Sequence, residues 1–555
     1  MDEPSAELNL PSYPLPELND TLELYLQSVR VFCSDEELRQ TSYAVGEFGK
    51  PGGLGEQLQE RLRKRAQNPQ VDNWLYDLYN SHLYLNCRAP INPFQHFFGS
   101  HIEGSVRHSQ ATRAAIIAIT AFRFKQRLAA ETLVPDLLNE QPLCMSSLHW
   151  LFNTVRVPKI GTDEIRKLPS LDYIVVLRQG CYFKVALQKE QEHVSFADLE
   201  SLFHQILRST YETGPAVAAL TADDRDNWAQ VREIVKGISQ QNHELVDMID
   251  GAAFMICLDE GCPSSSTERT NQFLLNEPST RWSDKCLQFV ICSNGSSASV
   301  CEHGLLDGGT LQQLNESLKD AITEYKPVSH RIGRVDNVDS VAAIALPERH
   351  TFLVNIDVQS HIKRVEEQFR AKNYMTEFGH FQYTKFGGTF FRTHQCAPKT
   401  GFQLVIQLAS LLYFGYQQPS WETVSMRTFQ KGRVDIFQTV LPSVADFCTA
   451  IRDADRSASK PTLRRQFHEA SKNLTTTLMR VSRGGGFAAH LYALQEVIRK
   501  DEDTPLLFTD LTYSKTRPAK LMTDCVQWQD VLQEGGFFMQ DLEHVWVHYE
   551  VRDDR

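Results

Sequence analysis

What the chain lacks narrows its class first. No two of its 12 cysteines form a Cys-x-x-Cys pair, and the closest couple is Cys257 and Cys262. That scatter excludes a disulfide framework and a zinc ribbon, and it fits a reducing compartment. Basic residues are in deficit: 57 Lys and Arg stand against 69 Asp and Glu, for a net charge of −12. An acidic surface argues against nucleic acid or an anionic membrane as the main partner. Long apolar runs are missing too. The longest, Phe402 to Tyr416, is broken by Gln403, Gln407 and Ser410, which predicts a buried helix rather than a membrane span. Met1-Asp2-Glu3-Pro4-Ser5 shows no basic region followed by an apolar one, so no secretory signal is read there and the cytoplasm is the expected location.

Two motifs fail on inspection. The loop Gly49-Lys50-Pro51-Gly52-Gly53-Leu54-Gly55 lacks the Gly-Lys-Ser/Thr ending and the preceding strand of a phosphate loop. His544 and His548 lie in a Val/Trp alternation that reads as a strand. Their rings would then sit about 13 Å apart at ~3.3 Å per residue, too far to share an ion. No metal is expected.

What is present is an ordinary globular composition, 42% hydrophobic and 23% charged over 555 residues, enough for two or three domains with a large core. The organising stretch is Cys301-Glu302-His303-Gly304-Leu305-Leu306-Asp307-Gly308-Gly309. Cys286 to Cys292 reads as a buried strand, Asn294-Gly295 as a tight hairpin, and Ser297 to Glu302 as the returning strand. Thr310-Leu311-Gln312-Gln313 reads as a capping box opening a helix whose Leu311, Leu314 and Leu318 share a face. A histidine is thus held at a strand-to-helix turn, with an aspartate four residues on. Imidazole takes and returns a proton near neutral pH, and a nearby carboxylate favours its charged form or fixes its orientation. No Ser or Cys follows in a nucleophile-elbow pattern, so direct proton abstraction from a hydroxyl or thiol is the simpler chemistry.

Alternating strands and helices give an α/β class. A helix is expected over Ser109 to Leu128, paired strands over Tyr173–Leu177 and Tyr182–Leu187, and a further strand over Thr351–Ile356.

His303-x-x-x-Asp307-Gly308 resembles the motif of thioester-dependent acyltransferases. With Arg281-Trp282-Ser283-Asp284-Lys285 it resembles the carnitine/choline O-acyltransferase family in particular, over nearly the whole chain. The resemblance implies two similar chloramphenicol-acetyltransferase-like α/β domains with the active-site tunnel at their interface. It divides the chain into an N-terminal arm and helices (1–88) packing on the second domain, a first domain with the catalytic His (89–350), and a second domain (351–555). His303 would be the general base, Asp307 its support, and Ser514, in Leu511-Thr512-Tyr513-Ser514, the oxyanion donor.

The departures from the family pattern define the expected substrates. In coenzyme A users a Phe-Gly-Lys-x-x-x-Lys run followed by Ser-Pro-Asp grips the nucleotide end. Here it reads Phe386-Gly387-Gly388-Thr389-Phe390-Phe391-Arg392, then Ala397-Pro398-Lys399. Either Lys385, Arg392 and Lys399 rebuild a phosphate site, or the donor is a phosphopantetheine thioester on an acyl carrier protein. No permanently bound cofactor is implied. On the acceptor side the family's Tyr, Thr and Arg that hold carnitine's carboxylate become Trp421, Val434 and Ala489. Burying a carboxylate without partners costs several kcal/mol, so carnitine is disfavoured. Choline, for which Trp421 would face the ammonium, stays open. Thr512 and Gln529 complete the expected acceptor wall. The pattern of losses resembles the releasing acyltransferase domains of fungal highly reducing polyketide synthases, which pass a polyketide from the carrier to an alcohol such as a polyol. The alternative is acyl-CoA-dependent transfer to choline or carnitine.

Overall fold

The computed structural model describes residues 10–555 except 190–191, 210–211, 326–346, 454–458, 518, 527–529 and 538–543. Among the described residues twelve strands build the two main sheets: β1 (His96–His101), β2 (Tyr173–Arg178), β3 (Cys181–Ala186), β4 (Met255–Asp259), β5 (Leu287–Cys292), β6 (Ser297–Glu302), β7 (Arg349–His350), β8 (Ser420–Ser425), β9 (Val434–Gln438), β10 (Leu521–Cys525), β11 (Leu532–Phe537) and β12 (Val545–Tyr549).

The larger sheet runs β7-β3-β2-β4-β5-β6-β1-β11. Its central strands are buried on both faces, which is why Leu287-Gln288-Phe289-Val290-Ile291-Cys292 reads as a near-continuous apolar run rather than an alternation. One face is covered by the helices Gln110–Ala129, Phe196–Arg208 and Gln312–Glu324. The other is covered by Arg225–Ile238, Gln240–Gly251 and Ile356–Tyr374. Ser109 caps the first of these helices by accepting from Thr112 N. The smaller sheet runs β9-β8-β10-β12. Its core is shared with the N-terminal helices Leu18–Val29, Asp35–Gly49 and Leu54–Ala66, through Leu22, Phe48 and Leu62 against Leu404, Val444, Leu491 and Leu507. The mixed α/β class is therefore observed.

Several local expectations change. Over Thr351–Ile356 there is no strand. The two-residue β7 precedes it, and Asn355 caps the helix Ile356–Tyr374 by accepting from Val358 N. Phe352, Val358, Val365 and Phe369 pack in the core of the larger sheet, so residues beyond 350 belong physically to that body. β11 crosses in the same direction, pairing Phe97 with Phe537. At the hairpin only Gly295 takes positive φ (84°); Asn294 instead accepts from Ser296 N through its side chain. Thr310 does not cap a helix. It lies in a 3-10 turn, Gly308–Leu311, with its hydroxyl on Ser147 at 2.9 Å, and the α-helix starts at Gln312. The helix Pro398–Phe414 is buried on its polar side. Gln403 and Gln407 face the sheet, bonding Thr523 (2.8 Å) and Ser420 (3.0 Å), while Leu412 and Tyr413 are 58% and 83% exposed.

Candidate active site

His303 follows directly on β6, and the turn that holds it is anchored from three sides. Its backbone N–H donates to Gln95 O at 2.9 Å. Arg156, fully buried, donates to Glu302 and Gln95 side chains at 2.7 Å each and to the Tyr84 carbonyl at 2.7 Å. Arg156 thereby ties together the residues on either side of the imidazole. Gly304 is required by the same packing, since a Cβ there would stand 2.8 Å from the Glu302 carboxylate.

The imidazole sits in an aromatic box. Tyr84 stacks on it at 5.4 Å between centroids, and Phe97 and Phe537 meet it edge-on at 5.3 and 4.9 Å. Only 6% of the residue is exposed. Burial lowers the His303 pKa below the ordinary imidazole value; Asp307 opposes the shift and Arg433 adds to it. The ring is therefore neutral near neutral pH and fit to accept a proton. Nδ1 faces Asp307 at 3.6 Å and Arg433 Nη2 at 3.3 Å, and Nε2 takes no partner among the described residues.

Arg433 is the residue that sequence reasoning missed. It stands in the Gly432-Arg433-Val434-Asp435 segment, just before β9. Its guanidinium grips both oxygens of Asp307, through Nη2 at 2.8 Å and Nε at 3.1 Å, and donates to the His303 carbonyl at 2.8 Å. It also lies over the Tyr84 ring at 4.8 Å. The pair lowers the Asp307 pKa and raises that of Arg433. Tyr84, buried, is pushed up to about 12, so its phenol stays protonated. The available signal for Arg433 was an arginine between a glycine and a β-branched residue at a strand start; its partner is 126 positions away.

The smaller sheet presents one face to this box. Register pairs Trp421 with Gln438 and with Met522, and Met522 with Trp546, so these four side chains form a row across β9, β8, β10 and β12. Trp546 meets Phe537 at 5.0 Å, which in turn meets His303. Trp421 and Val434 both belong to this face. Trp421 packs with Ala488, Met522 and Phe487, and Val434 is half-buried beside Arg433. Ala489 is buried in the helix Ala488–Glu496 and brings no charge. A cation does arrive from elsewhere: Arg517 reaches the Ala488 carbonyl at 3.4 Å, lies over the Tyr513 ring at 5.3 Å, and has no carboxylate partner among the described residues.

Two expected residues are not brought to His303. Ser514 lies on the helix Leu511–Thr516, exposed, with its hydroxyl turned back to the Asp510 carbonyl at 3.2 Å. Asp510 caps that helix by accepting from Thr512 N and Tyr513 N. Thr512 is buried on the same helix and accepts from Thr516 through its carbonyl. Gln529, expected on the acceptor wall, lies outside the described residues.

The donor cations are largely engaged. Arg392 pairs with Asp553, and Lys399 turns inward to Glu422 at 3.0 Å. Lys385 is exposed, with no ion pair among the described residues. The backbone amides of Gly388 and Thr389 donate to the carbonyls of Arg552 (2.6 Å) and Asp553 (3.1 Å). Among the described residues no cluster of His, Cys, Asp and Glu could hold a metal ion, and no helix is long and apolar enough to cross a membrane.

Similarity to known proteins agrees with this geometry. The family described as Choline/Carnitine o-acyltransferase matches residues 13–555. A highly reducing polyketide synthase of Aspergillus luteorubrus is 31% identical over 560 residues, 99% of this chain and 17% of that protein. One from Sordaria araneosa is 31% identical over 564 residues, 97% of this chain and 18% of that protein. Human choline O-acetyltransferase is 29% identical over 546 residues, 94% of this chain and 72% of that protein. The chain thus spans under a fifth of the two polyketide synthases. A solved chloramphenicol acetyltransferase aligns over 45% of this chain and 94% of its own at 12% identity, with a TM-score of 0.21. With the family's sequence matched almost end to end, and a buried His–Asp–Arg cluster where its motif falls, the chain belongs to the choline/carnitine O-acyltransferase family and is an acyltransferase.

Proposed function

We propose that this chain moves an acyl group, of polyketide type, from a phosphopantetheine thioester on an acyl carrier protein to a hydroxyl of an alcohol or polyol. His303 Nε2 takes the hydroxyl proton as the oxygen attacks the thioester carbonyl. The tetrahedral adduct collapses, the C–S bond breaks, and the imidazolium returns the proton to the leaving thiolate. Thioester becomes ester, and the same steps run backwards. Arg433 holds Asp307 and the His303 carbonyl, fixing the ring with Nε2 outward.

The observation that carries the donor half is that two of the three expected donor cations, and two backbone amides beside them, are already engaged, leaving Lys385 exposed without an ion pair among the described residues. Arg392 is held by Asp553, Lys399 by Glu422, and the Gly388 and Thr389 amides by the Arg552 and Asp553 carbonyls. A nucleotide 3′-phosphate wants fixed, free cations and amides. A carrier-bound arm offers the same thioester without that phosphate. The relatives named as polyketide synthases support the acyl class.

On the acceptor side Val434 and Ala489 offer nothing to a carboxylate, and Arg517 beside Ala488 repels a quaternary ammonium. The choline reading rests on the choline O-acetyltransferase relatives, which match most of their length. The test offers carrier-bound and CoA-bound acyl groups against polyol, choline and carnitine, with His303→Ala as control. Carrier donor with polyol acceptor, and a loss of about 10²-fold or more in the variant, are expected. Preference for CoA with choline overturns the reading. So does carnitine turnover that disappears in Arg517→Ala, and so does transfer indifferent to His303→Ala.

A further inference from the structure

A cavity of about 330 Å³ opens beside the Trp421 row and has no place in the proton transfer described above. Its floor is the edge strand β9, with Ile436 and Gln438, and its far wall is the helix Lys460–Ser482, with Asn473, Thr476 and Thr477. Phe487 belongs to both the cavity wall and the Trp421 cluster, at 5.8 Å from the Trp421 ring.

Gln438 is the informative residue. It is 2% exposed, yet both its amide nitrogen and its amide oxygen lack a partner among the described residues. Its cross-strand neighbour Trp421 leaves Nε1 unpartnered and buried, and so does Trp546 at the other end of the same row. A buried polar group left without a partner is costly, and a ligand that supplies one relieves that cost. Three residues on one sheet face share the same need; of them Gln438 lines the cavity, while Trp421 and Trp546 stand further along the row. They offer a donor and an acceptor at Gln438, then donors at Trp421 and Trp546. A ligand that answers them carries hydroxyls, which both donate and accept, spaced along a chain.

Charge narrows the class. The cavity lining contains no Asp or Glu, and its two arginines, Arg30 and Arg480, are exposed at the rim. A cationic ligand would meet only like charge. The depth of the cavity, with Gln438, Thr477 and Phe487, is neutral.

We propose that this cavity is a binding subsite for the non-reacting end of a neutral, multiply hydroxylated acceptor, with Gln438 as its anchor. The acceptor passes Phe487 and lies along the Trp421 row toward Phe537 and His303. This rests on the alcohol-acceptor reading above, but its test uses binding alone and so stands or falls separately.

The probe is sorbitol, with sorbitol 6-phosphate as the charged counterpart, titrated into the full chain by calorimetry and ligand-observed NMR in the absence of acyl donor. Sorbitol binding is expected in the wild type. Gln438→Met should weaken it at least tenfold, and so should Thr477→Phe, which fills the cavity from the helix without touching the sheet. Circular dichroism on both variants shows that the fold is kept. No sorbitol binding to the wild type overturns the proposal, as does binding unchanged in Thr477→Phe. Much tighter binding of the phosphate, abolished by Arg480→Ala, overturns the neutral assignment. Binding as expected with no turnover of any alcohol leaves the subsite standing and removes the acceptor reading instead.

Discussion

Asp307 gives its carboxylate to Arg433, not to His303. Two contacts of 2.8 and 3.1 Å join it to the guanidinium, against 3.6 Å to the imidazole. The aspartate is thus one half of a buried, bidentate ion pair, and the histidine is steadied by the pair rather than charged by it. That arrangement suits a base: a carboxylate in direct contact would hold the proton on the ring, while one neutralised by an arginine fixes orientation and leaves basicity to burial.

Replacing Arg433 by lysine keeps the charge but loses the planar fork. We expect kcat to fall at least tenfold, about 1.4 kcal/mol, with donor KM within twofold. Steady-state kinetics check this, together with the acid limb of the kcat profile, which should move because the groups facing Nδ1 rearrange. A variant with wild-type kcat and an unmoved limb would return Arg433 to a purely structural role.

The lowered His303 pKa fixes the direction of the pH dependence. The neutral ring is the active form, so activity falls with acid through a midpoint below the ordinary 6.5. Tyr84→Ala opens the stacked side to water and relieves the burial that causes the shift. Its acid limb should move up toward 6.5, whereas Tyr84→Phe, which keeps the ring, should leave it in place.

If the donor cations are engaged as described, removing the 3′-phosphate from an acyl-CoA donor should change kcat/KM by less than threefold. An enzyme that grips that phosphate with a free cation would lose about tenfold or more, since hydrogen bonds to charged groups contribute about 1.5–3 kcal/mol. Parallel assays with acyl-CoA and its 3′-dephospho form decide it.

Away from the site, Lys285 donates to the Asp250 carbonyl at 2.7 Å in full burial, and its pKa is pulled down from 10.5 to about 7. Below pH 7 both folded and unfolded chains carry the charge, and the fold bears the burial cost. Between 7 and 10.5 the unfolded chain holds the extra proton, so this group's contribution to stability rises with pH. Lys285→Met removes the group. Melting temperature followed from pH 6 to 9 should climb less steeply in the variant than in the wild type.

His303 and Asp307 were legible because turn chemistry is local: glycines, a strand end and a four-residue spacing all lie in one stretch. Arg433 was not, because its meaning depends on a contact 126 positions away. Ser514 was read from a short motif match, which carries no information on whether Asp510 will cap a helix there. The strand expected at Thr351–Ile356 failed for the same kind of reason: Asn355 as a cap outweighs apolar alternation over a few residues. In the helix Pro398–Phe414 the apolar run suggested burial, but the glutamines that interrupt it are the ones the sheet needs, through hydroxyls on Ser420 and Thr523. Periodicity locates an element; it does not say which side faces inward when the inner side is polar.

β11 lies against the outer edge of β1, where Gly99 leaves just enough room for Leu532. Its last residue, Phe537, is one of the rings around His303. Shortening the chain before residue 532 would strip both at once. β1 would present a bare row of amides and carbonyls, ready to pair with another molecule, while water reached the imidazole from a side now closed by a ring. Solubility would fall while the ring's pKa rose back toward its ordinary value, which ties β11 to the reaction centre.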